Sequence, residues 1–398
     1  MFSLKNKLDK NLKTCLDKSY YNSYRVLIKC KKFFDDIEKK IPTLKGNIIR
    51  SIDSIDIICA NLNSKAIYRL IEYPEVKYIC FDDYAILSGL SINTANCVNL
   101  SNDFKYSGNG INIGLIDSGI YPHKDLLTPI NKIKKFVDLI NNLNFPYDDN
   151  GHGTALAGVM CSSGISSKSI YKGIATKSML ICYKAFNSVG KAFISDILFS
   201  IQSLIRDKDF PVNILCLPFE LLNNDFFIIE CFDNIFKIAI KNKIIPIIPT
   251  GNNLNIENSI RGLALSENCI VVGGLNTCKS PFEPYIYSSC GNKNNLHKPH
   301  LVAACVNIMC LNSNISYISE KNGLKLYPPK LEKDYISFNG TSIACAYVCG
   351  SCALLLEHNP KLQFKDICSL IKISCNPIEN YNKSMVGEGT LDLSKFIQ

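Results

Sequence analysis

The chain has 398 residues, 47% of them hydrophobic, enough for a large core and more than the roughly 100–200 residues of one typical domain. Its 44 lysines and arginines against 35 acidic residues give a formal charge of +9, but the basic residues are scattered and not interleaved with aromatics as a single-strand groove requires. Nucleic acid is therefore not an expected partner, and the charge is read as a basic solvated surface. No run approaches the roughly 18 uninterrupted apolar residues of a membrane span, and "MFSLKNKLDKNLKTCLDKSYYNSY" carries charges where a signal peptide has its apolar centre. A cytoplasmic protein with no membrane partner is expected.

In chain order, residues 1–22 form a polar, lysine-rich leader, read as frayed or as a short helix. Residues 23–86 make a small α+β domain of their own. "YRVLIKC" is strand-like, "KKFFDDIEKK" helical, "NIIRSI" and "SIDIICANL" strands, "NSKAIYRLIEYP" helical and "VKYICFD" a last strand, a β-α-β-β-α-β order. Residues 87–109 are small and polar, a linker that a protease could reach. From 110 to 398 short apolar strands, "INIGLIDSG", "SMLICYKAF", "PVNILCLPF", "KIIPIIPTGN" and "CIVVGG", alternate with helical stretches such as "AFISDILFSIQSLIR". Such a pattern makes an α/β domain with a mainly parallel sheet covered on both faces.

The 19 cysteines are an odd number, and many sit inside apolar runs, where a reduced thiol acts as a small hydrophobe. A reducing compartment fits this usage better than a disulfide framework. Cys345, Cys349 and Cys352 would project from one side of a helix. Core packing is their expected role, because no neighbouring pair supplies a second half of a zinc site.

Ligands and catalysis in open α/β sheets are found at the C-terminal ends of strands. "INIGLIDSGI" places Asp117 at such an end, although a turn former would sit there as readily. His152 lies in "DDNGHGTALAGVM" between two glycines that permit close backbone approach around an imidazole. Asn252 follows Gly251 after "IIPIIPT", and Ser342 stands in "FNGTSIACAYVCG", where a small polar step meets an apolar run. The bland reading makes Thr341 or Ser342 a helix cap. The chemical reading exposes a hydroxyl at a helix N-terminus, where backbone N–H groups favour a developing anion. A carboxylate-held histidine beside such a hydroxyl can take its proton and return it to a leaving amine. The Asn252 amide would then face the oxyanion opposite the Ser342 N–H, a contact whose loss costs roughly 2.7–4 kcal/mol.

In the order Asp, His, Asn, Ser, the segments "GLIDSGI", "NGHGT", "TGN" and "GTSIA" resemble the subtilisin-like serine peptidase family, and the similarity runs from 108 to about 393. The resemblance implies a subtilisin-like three-layer fold and a serine endopeptidase. Asp117 would orient His152, His152 would act as base, Ser342 would be the nucleophile and Asn252 the oxyanion donor. The N-terminal domain resembles the family's inhibitor-type propeptide, which implies an intramolecular inhibitor and chaperone and makes the chain a zymogen; a permanently attached regulatory domain is the alternative. No cofactor is required for this chemistry, and although the family often binds calcium, no local carboxylate loop places that ion here.

Departures concern the cleft. Ala155 stands where a second histidine is usual, and Ala346 and Tyr347 replace the usual proline and histidine after the nucleophile. Cys216, Leu217 and Pro218 replace the Ser-Leu-Gly edge that pairs with an extended peptide, and Pro218 has no N–H to give. Pro249 and Thr250 replace small alanines on the opposite wall. A narrow range of peptide or protein substrates is expected, with a small or medium apolar residue before the cut. A catalytically inactive or weakly active binding or regulatory relative is the alternative.

Overall fold

The computed structural model describes residues 4–87, 91–92, 105–221, 223–279, 281–291 and 298–397. They form two compact units, Met1–Tyr84 with Phe193–Ser203, and Ala85–Ala192 with Leu204–Gln398.

In the first unit the strands Tyr24–Cys30, Asn47–Ile52, Ile57–Leu62 and Val76–Phe81 alternate with the helices Phe34–Thr43 and Ser64–Glu72. The sheet runs 47–52, 57–62, 24–30, 76–81, with antiparallel neighbours throughout. Asn63 starts the second helix by accepting the Ala66 N–H at 2.9 Å, and Ala66, Ile67, Leu70 and Ile71 are its buried positions. Of the two readings left open for the leader, the helix is the one observed. Lys10–Asp17 begins at Asp9, whose carboxylate accepts the Asn11 and Leu12 N–H groups, and its Leu12 and Leu16 join the same core as Val26, Ile28 and Ile67.

The second unit is built on one long sheet. Its strands run in the order Cys375–Asn376, Thr390–Leu391, Leu301–Ala304, Ile270–Asn276, Ile245–Pro249, Ile214–Cys216, Asn112–Asp117, Met179–Lys184, Ile133–Asp138. Every pairing from Thr390–Leu391 onward is parallel. Alternate residues feed opposite faces. Ile113, Leu115, Ile214, Cys216, Ile245 and Ile247 share a core with the helices His152–Cys161 and Thr341–His358. Gly114, between two of them, faces Leu204 of the helix Ile194–Arg206 on the other side. These are the three layers and mainly parallel sheet expected from the sequence, preceded along the chain by the smaller α+β unit.

Among the described residues one helix, Thr341–His358, is long and apolar enough to cross a membrane, but 89% of it is buried inside the fold. It is a core helix, lying across the strands Ile214–Cys216, Ile245–Pro249 and Ile270–Asn276.

Candidate active site

Asp117 ends its strand, and the chain turns away at Ser118 and Gly119. The helix that begins at His152 is brought against this turn by glycine: a Cβ on Gly153 would lie 2.1 Å from the Gly119 carbonyl oxygen and 3.0 Å from Asp117 Oδ1. His152 Nδ1 sits 2.9 Å from Asp117 Oδ2 and 3.0 Å from Oδ1. A carboxylate at Nδ1 fixes the ring hydrogen there and leaves a lone pair on Nε2. Ser342 Oγ lies 3.0 Å from that Nε2. All three side chains are buried.

Ser342 does not cap its helix. The residue at the cap position is Gly340, with no side-chain cap hydrogen bond, so the bland reading of "GTSIA" gives way to the chemical one. The fourth predicted residue, Asn252, follows Gly251, and the Thr341 hydroxyl donates to the Gly251 carbonyl at 3.4 Å, tying that turn to the start of the Ser342 helix. The structure thus brings Asp117, His152 and Ser342 into one hydrogen-bonded row, with the Asn252 turn beside the serine end.

Behind the row is a carboxylate, Asp148, that the motifs of the sequence do not single out. Asp148 is fully buried and accepts from Ser118 Oγ at 2.9 Å, Gly151 N–H at 2.8 Å, Thr154 N–H at 2.9 Å and Thr154 Oγ1 at 2.6 Å. Ser118 Oγ in turn accepts the Gly153 N–H at 3.1 Å and lies 3.1 Å from Asp117 Oδ1. One buried acid therefore fixes both the aspartate turn and the histidine helix. Its signal is an acid four positions before His152 and six before Thr154, which no single motif isolates. Lys184, opposite Asp117 in the neighbouring strand, adds a staple by donating to the Ser118 carbonyl at 2.6 Å and to Asp149 Oδ1 at 2.5 Å.

The cysteines resolve differently from their spacing. Cys345 and Cys349 meet Cys216, the three sulfurs lying within 4.8 Å of one another, while Cys352 is buried elsewhere in the same core. Burial pushes the Cys216 and Cys349 thiols well up. This sulfur cluster is no place for calcium, which takes oxygen ligands.

An extended segment of the chain lies beside the site. Phe219–Leu221 is one edge of a three-stranded sheet whose middle strand is Tyr84–Leu87 and whose other edge is Lys191–Phe193. The register is antiparallel, Leu87 opposite Phe219, Ile86 opposite Glu220 and Ala85 opposite Leu221. Farther on, Ser91 and Ile92 pair with Asn339 and Phe338, just ahead of Ser342. The paired edge begins one residue past Pro218, so the proline borders this ladder and does not interrupt it.

The model of the subtilase family matches residues 108–389, which contain all four predicted site residues. Serine protease AprX of Bacillus subtilis is 30% identical over 297 residues, covering 72% of this chain and 66% of AprX. Subtilisin-like protease 1 of Plasmodium berghei is 24% identical over 65% of this chain but only 41% of its own length, so the match spans less than two thirds of either relative. Subtilisin DY of Bacillus licheniformis is 23% identical over 66% of this chain and 82% of its own. Among solved structures, fervidolysin of Fervidobacterium pennivorans, a keratinolytic enzyme related to subtilisin, superposes with a TM-score of 0.72 over 95% of this chain and 61% of fervidolysin, at 16% identity. That likeness speaks for the fold, and the family model, spanning well over half of the residues, for the lineage: this chain belongs to the subtilase family.

Proposed function

We propose that the protein is a serine endopeptidase that cuts a restricted set of peptide or protein substrates through Asp117, His152 and Ser342. One observation carries the reading: the His152 ring stands between a carboxylate at 2.9 Å and a hydroxyl at 3.0 Å. His152 Nε2 takes the proton from Ser342 Oγ as that oxygen attacks the carbonyl carbon of the scissile bond. The oxyanion is held by the Ser342 N–H and the Asn252 side-chain amide. The imidazolium, stabilised by Asp117, gives its proton to the leaving amine, and an acyl-enzyme is left on Ser342. Water, deprotonated by the same nitrogen, then releases the acid and restores the hydroxyl.

The N-terminal domain is the enzyme's own inhibitor in this reading. Support comes from the segment that follows it, which runs along Phe219–Leu221 at residues 85–87 and along Phe338–Asn339 at residues 91–92. A segment paired with the edge whose Glu220 meets the Asn252 turn, and with the strand just ahead of Ser342, takes edges that a substrate would need. The described cysteines are free thiols, buried except for Cys15, Cys278 and Cys368, which supports a reducing, cytoplasmic setting.

Expressed with Ser342 intact, the chain should acquire a new N-terminus between about residues 89 and 110, whereas Ser342→Ala should stay full length. Residues 88–90 and 93–104, within which most of those bonds fall, lie outside the described residues. N-terminal sequencing of both proteins checks this; an active enzyme with an intact N-terminus would replace cleavage by simple displacement. A proteome-derived peptide library should be cut at few sites, and broad cleavage would remove the restriction while leaving the serine mechanism.

A further inference from the structure

The edge strand Phe219–Leu221 carries an acid in its middle. Phe219 and Leu221 are buried, while Glu220 between them is partly exposed and points to the other face. There it meets the oxyanion turn. Glu220 Oε2 accepts the Asn252 backbone N–H at 3.2 Å and the Asn253 side-chain amide at 2.9 Å. A Cβ on Gly251 would lie 2.5 Å from the same oxygen, at a φ of +95° that side chains rarely adopt, so glycine is what lets the acid in.

The edge also has a direction. Residues 85–87 run antiparallel to it, from Leu221 towards Phe219, and the edge itself comes from Cys216, whose sulfur lies near that of Cys345, three residues past Ser342. An extended peptide in this groove therefore advances towards the nucleophile. A residue whose carbonyl reached Asn252 would carry its side chain on the adjoining Cα, close to the turn 251–253 that Glu220 contacts.

Resting on the serine-peptidase reading above, we propose that Glu220 selects a cationic side chain, arginine or lysine, immediately before the scissile bond. Among the described residues Glu220 has amide donors but no ion-pair partner. A negative charge beside the oxyanion turn repels the oxyanion as it forms. A guanidinium or ammonium group placed against Glu220 offsets that repulsion, and a neutral side chain does not. Selectivity should consequently fall on kcat as well as on KM. This replaces the apolar preference drawn from the bulk of Leu217 and Pro249, since a half-buried acid at the turn outweighs wall volume.

The test is a series of fluorogenic peptides identical except for arginine, lysine, leucine or glutamine before the cut, assayed with the wild type, Glu220→Gln and Glu220→Asp. The wild type should favour arginine over leucine by roughly 10–100-fold in kcat/KM, the scale of one charge-assisted contact. Glu220→Gln should bring the four substrates within a few-fold of one another and raise kcat for leucine, and Glu220→Asp should keep part of the cationic preference. A wild type without that preference, or a Glu220→Gln enzyme that retains it, would overturn the proposal. If the wild type hydrolyses none of the peptides and a serine-directed phosphonate leaves Ser342 unmodified, the serine-peptidase reading falls and this inference falls with it.

Discussion

Ser342→Ala should lower peptide hydrolysis roughly a millionfold, the scale reached when the nucleophile of such a row is removed, and leave the protein folded. The loss is large because Ser342 Oγ is the hydroxyl that lies against His152 Nε2, at 3.0 Å. The fold should tolerate it. The hydroxyl does not cap the Thr341–His358 helix, and the substitution deletes no methylene from the core. Its stability cost should stay within about 1 kcal/mol, the net worth of one hydrogen bond. Turnover and thermal unfolding of the purified variant check both halves; near-normal hydrolysis would remove Ser342 from the chemistry.

Asp117→Asn should cost about 10⁴ in kcat with little change in KM. Asp117 is fully buried, accepts the Ser118 N–H at 2.6 Å and faces His152 Nδ1 with both oxygens. An asparagine of the same shape would turn an N–H towards Nδ1. The ring hydrogen would move to Nε2, and His152 could no longer receive the Ser342 proton. Steady-state kinetics on one cleavable peptide decide the matter: a drop of only a few-fold would mean that Asp117 is a turn former and not the orienting acid.

The parts of this protein that could be read from its sequence are those whose information is local. Asp117, His152, Asn252 and Ser342 each sit in a short run of residues that reports its own geometry, a strand end, a glycine-flanked helix start, a turn or a second helix start. The strands of the main sheet were equally plain where burial on both faces makes them continuously apolar, as at Ile245–Pro249, where every residue is buried. Ile133–Asp138 is not legible in this way, because Lys134 and Lys135 interrupt it on a strand that ends the sheet. The leader reads as polar because lysines surround its three buried leucines: Leu12 and Leu16, four apart, share the buried face of the helix Lys10–Asp17, and Leu8 bridges to Ile79 ahead of that helix.

What could not be read is juxtaposition. Glu220 meets Asn252 and Asn253 across more than thirty residues, and Cys216 meets Cys345 and Cys349 across more than a hundred and twenty. Neither pairing leaves a periodic or spaced trace. Asp148 is intermediate: it is close to His152 in sequence, yet its part depends on Ser118, thirty residues earlier. Pro218 is similar: the sequence shows that it has no N–H to give, but not that the ladder with residues 85–87 starts one residue on, at Phe219.

The most direct test is covalent labelling of the mature chain by a serine-directed fluorophosphonate, read by intact mass and peptide mapping. The Asp117–His152–Ser342 row predicts one adduct per chain, on Ser342, and its disappearance in His152→Ala, where the hydroxyl has lost its base. A folded, N-terminally processed chain that takes up no phosphonate, or takes it up at another serine, would contradict it.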